Sequence, residues 1–322
     1  MNAQAITVVI CTYNRAQSLA RALTSLQEMS VPPDLSWELI VVDNNSHDDT
    51  RRIVHDFIRS SELPLRYVWE GTQGLCRARN TGIKEARGEI VAFTDDDATF
   101  DPHWLVSIGR AFQQYDCFGV GGKIVPLWPP RKPSWLETDG QYRLMDVIAK
   151  LDLGEEVLEM KNPPYGANMA FRSAAFHKYG DFRPDLDRVG YRLLGGGDTE
   201  FGRRLLRGGE RVVYEPRAVV YHPVQKHRMT KGYFRCWYFN YGRVLVRLGG
   251  FPEAAARYAG IPRYLFRGLV ETFLKCAFSL DPRGRLYHKL HCYQIAGQII
   301  EAYLSSRSGR WGVSPGQCNT DG

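Results

Sequence analysis

The chain has 322 residues, of which 44% are hydrophobic and 24% charged, a composition that suits a globular protein with one enlarged or two average domains around a sizeable core. The excess of 42 Lys and Arg over 35 Asp and Glu leaves a net charge of +7, which favours contact with phosphates, nucleic acid or an anionic membrane face without choosing among them. Seven scattered cysteines form no C-x-x-C pair, so neither a zinc site nor a disulfide framework is suggested and a reducing cytosol fits best. No signal peptide is read at the N-terminus, and no apolar run of about 18 residues suggests a spanning helix.

The first third alternates strands and helices. Residues 6–13, ITVVICTY, form an apolar, β-branched run, and 16–29 carry Leu19, Ala22, Leu23 and Leu26 at helical spacing. WELIVVDN at 37–44 reads as a second buried strand, followed by a helix that Asp48 and Asp49 open and that Ile53, Val54, Phe57 and Ile58 continue. LRYVWE supplies a third strand, 74–87 a helix and 89–94 a fourth strand. This order predicts an α/β fold with a mostly parallel central sheet flanked by helices. Ligands of such sheets bind at the C-terminal strand ends. Three polar clusters fall there: Thr12-Tyr13-Asn14-Arg15, Asp43-Asn44-Asn45-Ser46 and Asp95-Asp96-Asp97.

KIVPLWPPRKPSWLE at 123–137, rich in Pro and Trp, reads as a loop between two parts of one domain. From about 227 the chain turns helical, basic and aromatic. The expected division is a catalytic domain over 1–226, a helical extension over 227–308 and a disordered tail over 309–322.

Three adjacent aspartates at a strand end need a compensating partner. A D-x-D spacing in extended backbone puts Asp95 and Asp97 on one side and Asp96 on the other, and hard cations take such carboxylates together with substrate phosphates. Alternatively, Asp97 or Asp101 caps a helix beginning near Pro102. Asp43 suits an Asx turn or the reading of a nucleotide by its carboxylate. Arg77 and Arg79 stand near a helix start after Gly74, where they can meet diphosphate oxygens or only solvent. Asp198 and Glu200 follow three glycines; one can cap a helix, and Asp198 can serve as a general base. His222 ends an apolar run and is either an edge histidine or a ligand of the same cation. Patterns of hydrolase triads, P-loops, zincins and dinucleotide folds are missing, and nucleic-acid binding rests on charge alone.

Taken in order, VVICTYNRAQSLARALTSL, ELIVVDNNSHDDT, GLCRARNTGIKEARGEIVAFTDDD, GANMAFR and GGDTEFGRRLLRGG resemble the family 2 glycosyltransferases of the GT-A fold over roughly residues 5–225. The resemblance implies the nucleotide-diphospho-sugar transferase fold and a metal-dependent, inverting hexosyl transfer from a nucleotide sugar, by family habit a UDP-sugar. It implies that Thr12, Tyr13, Arg15 and Asp43 hold the nucleoside and that Arg79 meets the nucleotide or its diphosphate. Asp95 and Asp97 would hold Mn²⁺ or Mg²⁺ with His222 beside them, and Asp96 would point away or toward the sugar. Asp198 would be the base on the acceptor, with Gly166, Asn168 and Glu200 on the acceptor side. One departure stands out: many members carry Glu-Asp where this chain has Gly197-Asp198.

A single base and a metal suffice for inverting transfer, whereas double displacement needs a second carboxylate as nucleophile. The basic, aromatic stretch 227–305 suits either an interfacial helix on an anionic leaflet or a helix packed on the catalytic domain with snorkelling basic residues. The partners expected are thus a nucleotide sugar, a glycan or lipid-linked acceptor and an anionic membrane surface, without nucleic acid. The expected location is the cytoplasm, peripherally on the membrane. Two rivals remain at this point. A sugar-phosphate nucleotidyltransferase would want a Gly-rich phosphate loop after the first strand, and a non-catalytic glycan- or membrane-binding module would have no use for Asp198.

Overall fold

The computed structural model describes residues 5–144, 147–187, 193–252 and 254–307, so the tail expected beyond 308 lies outside the described residues. The described residues up to Ser134 and from 147 to Met229 form one compact unit; Trp135–Leu144 and the chain from Thr230 form a second. The stretch 123–137 is therefore divided. Its first part completes a strand of the first unit, while Trp135 onward joins the second.

The first unit opens with β1 (Ile6–Thr12), α1 (Ala16–Gln27), β2 (Trp37–Asp43), α2 (Thr50–Ser60), β3 (Leu65–Trp69), α3 (Leu75–Glu85) and β4 (Ile90–Asp95). It continues through β5 (Thr99–Phe100), α4 (Trp104–Gln114), β6 (Gly119–Leu127), β7 (Leu158–Glu159), β8 (Asn168–Arg172), α5 (Ser173–Tyr179), α6 (Gly197–Arg207) and β9 (Val212–Pro223). The sheet order is β3-β2-β1-β4-β8-β6-β9-β5, with β7 beside β9. The first four strands are parallel, as the alternating pattern predicts. Beyond them the sheet is mixed: β8 runs antiparallel to both β4 and β6, and β9 returns parallel to β6.

Strands buried on both faces must be apolar on both, which explains the unbroken run of β1. Val8 and Ile10 meet Leu19, Leu23, Leu39 and Trp104 in one core, while Val9 meets Ile40, Val42, Phe93, Phe171 and Phe201 in the other. Helix α3 lies close to the sheet at Gly82, where a Cβ would come 2.5 Å from Cγ1 of Val9. That approach accounts for a glycine inside a helix, where it otherwise costs about 1 kcal/mol against Ala. Parallel register then brings Thr12 level with Asp43, and Cys11 level with Asp95, at one edge of the sheet.

The second unit is built on α7 (Lys231–Gly249), α8 (Arg263–Phe278) and α9 (Pro282–Arg307). Helices α7 and α9 approach at two glycines: a Cβ on Gly242 would strike the carbonyl oxygen of Gln294, and one on Gly297 that of Phe239. Glu301 of α9 accepts from Arg243 at 2.8 Å and Arg247 at 2.7 Å, both on α7. Trp135 packs edge-on against Phe234, with ring centroids 5.1 Å apart, which ties its segment to α7.

Candidate active site

The loops after β1 and β2 are fastened to each other. Asn14, at φ 50°, donates its backbone N–H to Ser46 Oγ, and its side-chain oxygen accepts from the His47 N–H at 2.7 Å. Asn tolerates this left-handed conformation better than most residues. Asp48 reaches across to accept the first N–H of α1, from Ala16 at 3.0 Å. Asp43 is buried; its Oδ1 accepts from the Ser46 N–H and its Oδ2 from the Tyr67 hydroxyl, each at 2.9 Å. The Asp43 carboxylate thus closes a local loop three residues on, one residue longer than an Asx turn and well ahead of α2, which begins at Thr50. Tyr13 is partly exposed beside it.

β4 ends at Asp95 and the backbone turns at Asp96 and Asp97, where the Ala98 N–H donates to the Asp95 carbonyl, so the extended spacing expected of the triplet is corrected: a turn, and not strand alternation, separates the three carboxylates. Asp96, buried, accepts from Thr12 Oγ1 at 2.7 Å and from Arg15 Nη1 at 2.7 Å. Burial pushes its carboxyl up to about 7 in spite of Arg15. On the other side, His222 Nε2 stands 3.4 Å from Asp95 Oδ2 and 3.3 Å from Asp97 Oδ1. Burial opposes the imidazolium, but the two carboxylates outweigh it and raise His222 to about 9. Asp97 Oδ2 is engaged by Arg15 Nη2 and by Gln225 Nε2, each at 2.6 Å.

Asp97 Oδ1, in contrast, is buried and makes no well-aligned hydrogen bond among the described residues, its polar neighbour being His222 Nε2 at 3.3 Å. Ligand atoms of Asp95, Asp97 and His222 all lie within 4.8 Å of one another. Two carboxylate oxygens and an imidazole nitrogen fit a divalent cation such as Mn²⁺, which would take the place of the proton that Asp95 and Asp97 hold on His222.

Asp198 lies in the first turn of α6, whose N-cap is Gly196. Its Oδ2 accepts from the Gly166 N–H at 2.9 Å and its Oδ1 from the Thr199 N–H at 2.8 Å. Helix N-terminal N–H groups favour such a carboxylate. Arg79 is buried on α3, its guanidinium 5.5 Å from the Phe182 ring. Among the described residues no carboxylate or carbonyl takes a hydrogen bond from it. It lies against Gly166 beside Asp198 and within electrostatic reach of Asp95. The N-terminus of α3 is itself filled: Asp187 Oδ1 accepts from the Cys76 N–H at 2.5 Å, and Asn44 Oδ1 accepts from the Gly74 N–H at 2.7 Å.

Other expected residues serve elsewhere. The Asn168 amide is fully committed, donating to the carbonyls of Lys123 and Ala218 and accepting from Trp104 Nε1. Glu200 is buried and pairs with Arg204 one turn on, at 2.9 Å. Asp101 accepts from the His103 N–H; α4 begins only at Trp104, with His103 as N-cap. A cap at Asp101 with Pro102 as first helical residue is thereby corrected: the carboxylate closes a turn ahead of the helix. Gln225, unflagged in the sequence, is brought to Asp97 because β9 carries it past His222; its position three residues after His222 was the available signal.

The profile of "Glycosyl transferase family 2" matches residues 7–180, more than half of the chain. The glucosyl-dolichyl phosphate glucuronosyltransferase of Haloferax volcanii is 27% identical over 256 residues, covering 78% of this chain and 79% of its own. Succinoglycan biosynthesis protein ExoM of Rhizobium meliloti is 26% identical, covering 76% and 74%. Among solved structures, the mannosyltransferase PcManGT from Pyrobaculum calidifontis, in complex with GDP-Man and Mn²⁺, has a TM-score of 0.55 at 20% identity over 96% of this chain and 76% of that one. Residues 1–349 of TarS from S. aureus, in complex with UDP-GlcNAc, have a TM-score of 0.51 at 17% identity over 94% and 92%. With its mixed sheet, the polar loops at the strand ends and the Asp95/Asp97/His222 cluster, the chain belongs to glycosyl transferase family 2 and has the GT-A fold of those transferases.

Proposed function

We propose that the chain moves a hexosyl group from a UDP-sugar to a hydroxyl of a glycan or lipid-linked acceptor, with inversion at the anomeric carbon, in polysaccharide or cell-envelope synthesis. The observation that carries this reading is Asp198, a carboxylate held by two backbone N–H groups, with Arg79 lying beside it and within electrostatic reach of Asp95 in the cluster of Asp95, Asp97 and His222. In the reaction the acceptor oxygen bonds to the anomeric carbon and its proton passes to Asp198. The bond from that carbon to the diphosphate breaks, and its electron pair leaves with the nucleoside diphosphate. One base on the acceptor side suffices for this displacement.

Asp95, Asp97 and His222 would hold Mn²⁺ or Mg²⁺, which when bound neutralises charge developing on the departing diphosphate. Arg79 is placed to bind the same diphosphate with its guanidinium fork. Thr12 and Arg15 act through Asp96 and Asp97, fixing the cluster's shape, and with Tyr13 and Asp43 they border the nucleoside. Gly166 lets the backbone come close to Asp198 on the acceptor side, while Asn168 and Glu200 support that wall through their own bonds. Relatives named as a glucosyl-dolichyl phosphate glucuronosyltransferase and as a succinoglycan biosynthesis protein support a lipid-linked or glycan acceptor, which the chain would meet peripherally at the cytoplasmic face of a membrane.

A thermal-shift screen tests the reading. UDP-sugars with Mn²⁺ should raise the melting temperature more than they do with a chelator, by an amount set by ligand concentration over Kd. Absence of a shift with every nucleotide sugar would refute it.

A further inference from the structure

The face of α8 turned away from the rest of its unit is apolar. Phe266 stands four residues before Val270, Phe273 and Leu274 stand three and four after it, and Ala277 four after Phe273, which places them on one stripe, and all are exposed. Phe278 and Leu280 extend it at 78% and 94% exposure. The stripe lies beyond the packing of α8 itself, which buries Leu265 in a cluster with Ile295 and Ile299 of α9. An exposed apolar stripe of this kind marks an interaction surface.

We infer that this stripe, Phe266, Val270, Phe273, Leu274, Phe278 and Leu280, lies on an anionic membrane surface, with α8 in the plane of the headgroups. Charge decides the occupant. Between 263 and 285 the chain carries Arg263, Arg267, Lys275, Arg283 and Arg285 against Glu271 and Asp281; Glu271 is paired with Arg267 and Arg283 with Glu137, which still leaves a basic excess. A symmetric contact with a second copy would set these basic groups against their own equivalents. Anionic headgroups meet them with the opposite sign, each contributing to attraction near the surface. Among the described residues no helix is long and apolar enough to cross a membrane. A short helix with aromatic and leucine side chains on one face and basic groups at its edges instead beds into the interface. The inference rests on the peripheral action proposed above and supplies the surface for it.

Flotation of the full chain with phosphatidylcholine vesicles, with and without phosphatidylglycerol, tests the surface. The wild type should float with the anionic vesicles and lose binding as salt is raised. Phe273→Ser and Phe278→Ser should each weaken binding roughly tenfold or more, and Val270→Ser with Leu274→Ser should act likewise should either Phe variant fold poorly. Arg267→Gln with Lys275→Gln should remove the preference for the anionic lipid. Donor-induced thermal shifts, measured in parallel, should stay at the wild-type value in every variant. A missing donor shift in the wild type would instead fault the transferase reading and leave the vesicle result standing. Wild-type protein that ignores anionic vesicles, or serine variants that float as wild type does, would overturn the inference. So would a wild-type dimer that Phe273→Ser splits, because the stripe would then meet a second copy.

Discussion

The backbone N–H of Gly166 meets Oδ2 of Asp198 at 2.9 Å, at a point where a Cβ on residue 166 would strike both that carboxylate and the guanidinium of Arg79. Glycine is required here for close approach. Gly166→Ala should therefore displace both groups and lower kcat roughly 10²-fold, the scale set by a misplacement of about 1 Å, while the melting temperature moves little. Wild-type turnover in this variant would show that the site tolerates the shift.

Replacing the base itself separates chemistry from binding. Asp198→Asn keeps the acceptor geometry but cannot take a proton, so kcat should fall by about 10²–10⁴ with the donor-induced thermal shift unchanged. An equal loss of donor binding would place Asp198 on the donor side instead.

Asp97 turns Oδ1 toward His222 within the cluster. In Asp97→Ala, Mn²⁺ should no longer add to the thermal shift produced by a UDP-sugar, and a chelator should reduce the wild type to the same level. A variant retaining full metal dependence would remove Asp97 from the ligand set.

Asn168 makes three buried hydrogen bonds that join β8 to β6, β9 and α4. Its replacement by Ala leaves two carbonyls and an indole N–H without this partner, and should cost at least about 2 kcal/mol, read as a lowered melting temperature. Turnover well below that temperature should persist; its loss at unchanged stability would give the amide a direct part in the reaction.

In the second unit, burial alone would raise Glu301, but the hydrogen bonds from Arg247 and Arg243 hold it below the ordinary carboxylate range. A depressed carboxylate stabilises the fold above its unfolded pKa, and this contribution is lost as pH falls through the lower folded value. Glu301→Gln should thus cost about 2 kcal/mol or more at neutral pH. The difference from wild type should shrink below roughly pH 4, as pH-dependent thermal unfolding would read directly.

The sequence makes the donor side of the site legible because its parts follow short-range rules. Apolar runs ending at Thr12, Asp43 and Asp95 mark parallel strands, and a parallel sheet gathers such ends along one edge. Side-chain alternation predicts the grouping of Asp95 with Asp97, but the chain turns after Asp95, so the turn and not the pleat produces it. Features fixed by distant pairing are hidden. Nothing near Asn168 in sequence announces the carbonyls of Lys123 and Ala218, and periodicity cannot tell that β8 enters antiparallel. Helical spacing on α6 shows Glu200 one turn before Arg204, yet not that tertiary packing buries Glu200. Asp101 misleads for a local reason: its turn chemistry resembles a cap, and the chain makes one more bend before α4. Residues 135–144 leave the first unit because Trp135 finds Phe234, a partner about a hundred residues away.

Release of nucleoside diphosphate from UDP-sugars, followed with acceptor glycans or lipid-linked sugars and with or without Mn²⁺, tests the central claim most directly. The account predicts release that requires the cation, is stimulated by acceptor, and disappears in Asp198→Asn. Metal-independent release, or release by Asp198→Asn at the wild-type rate, would contradict it.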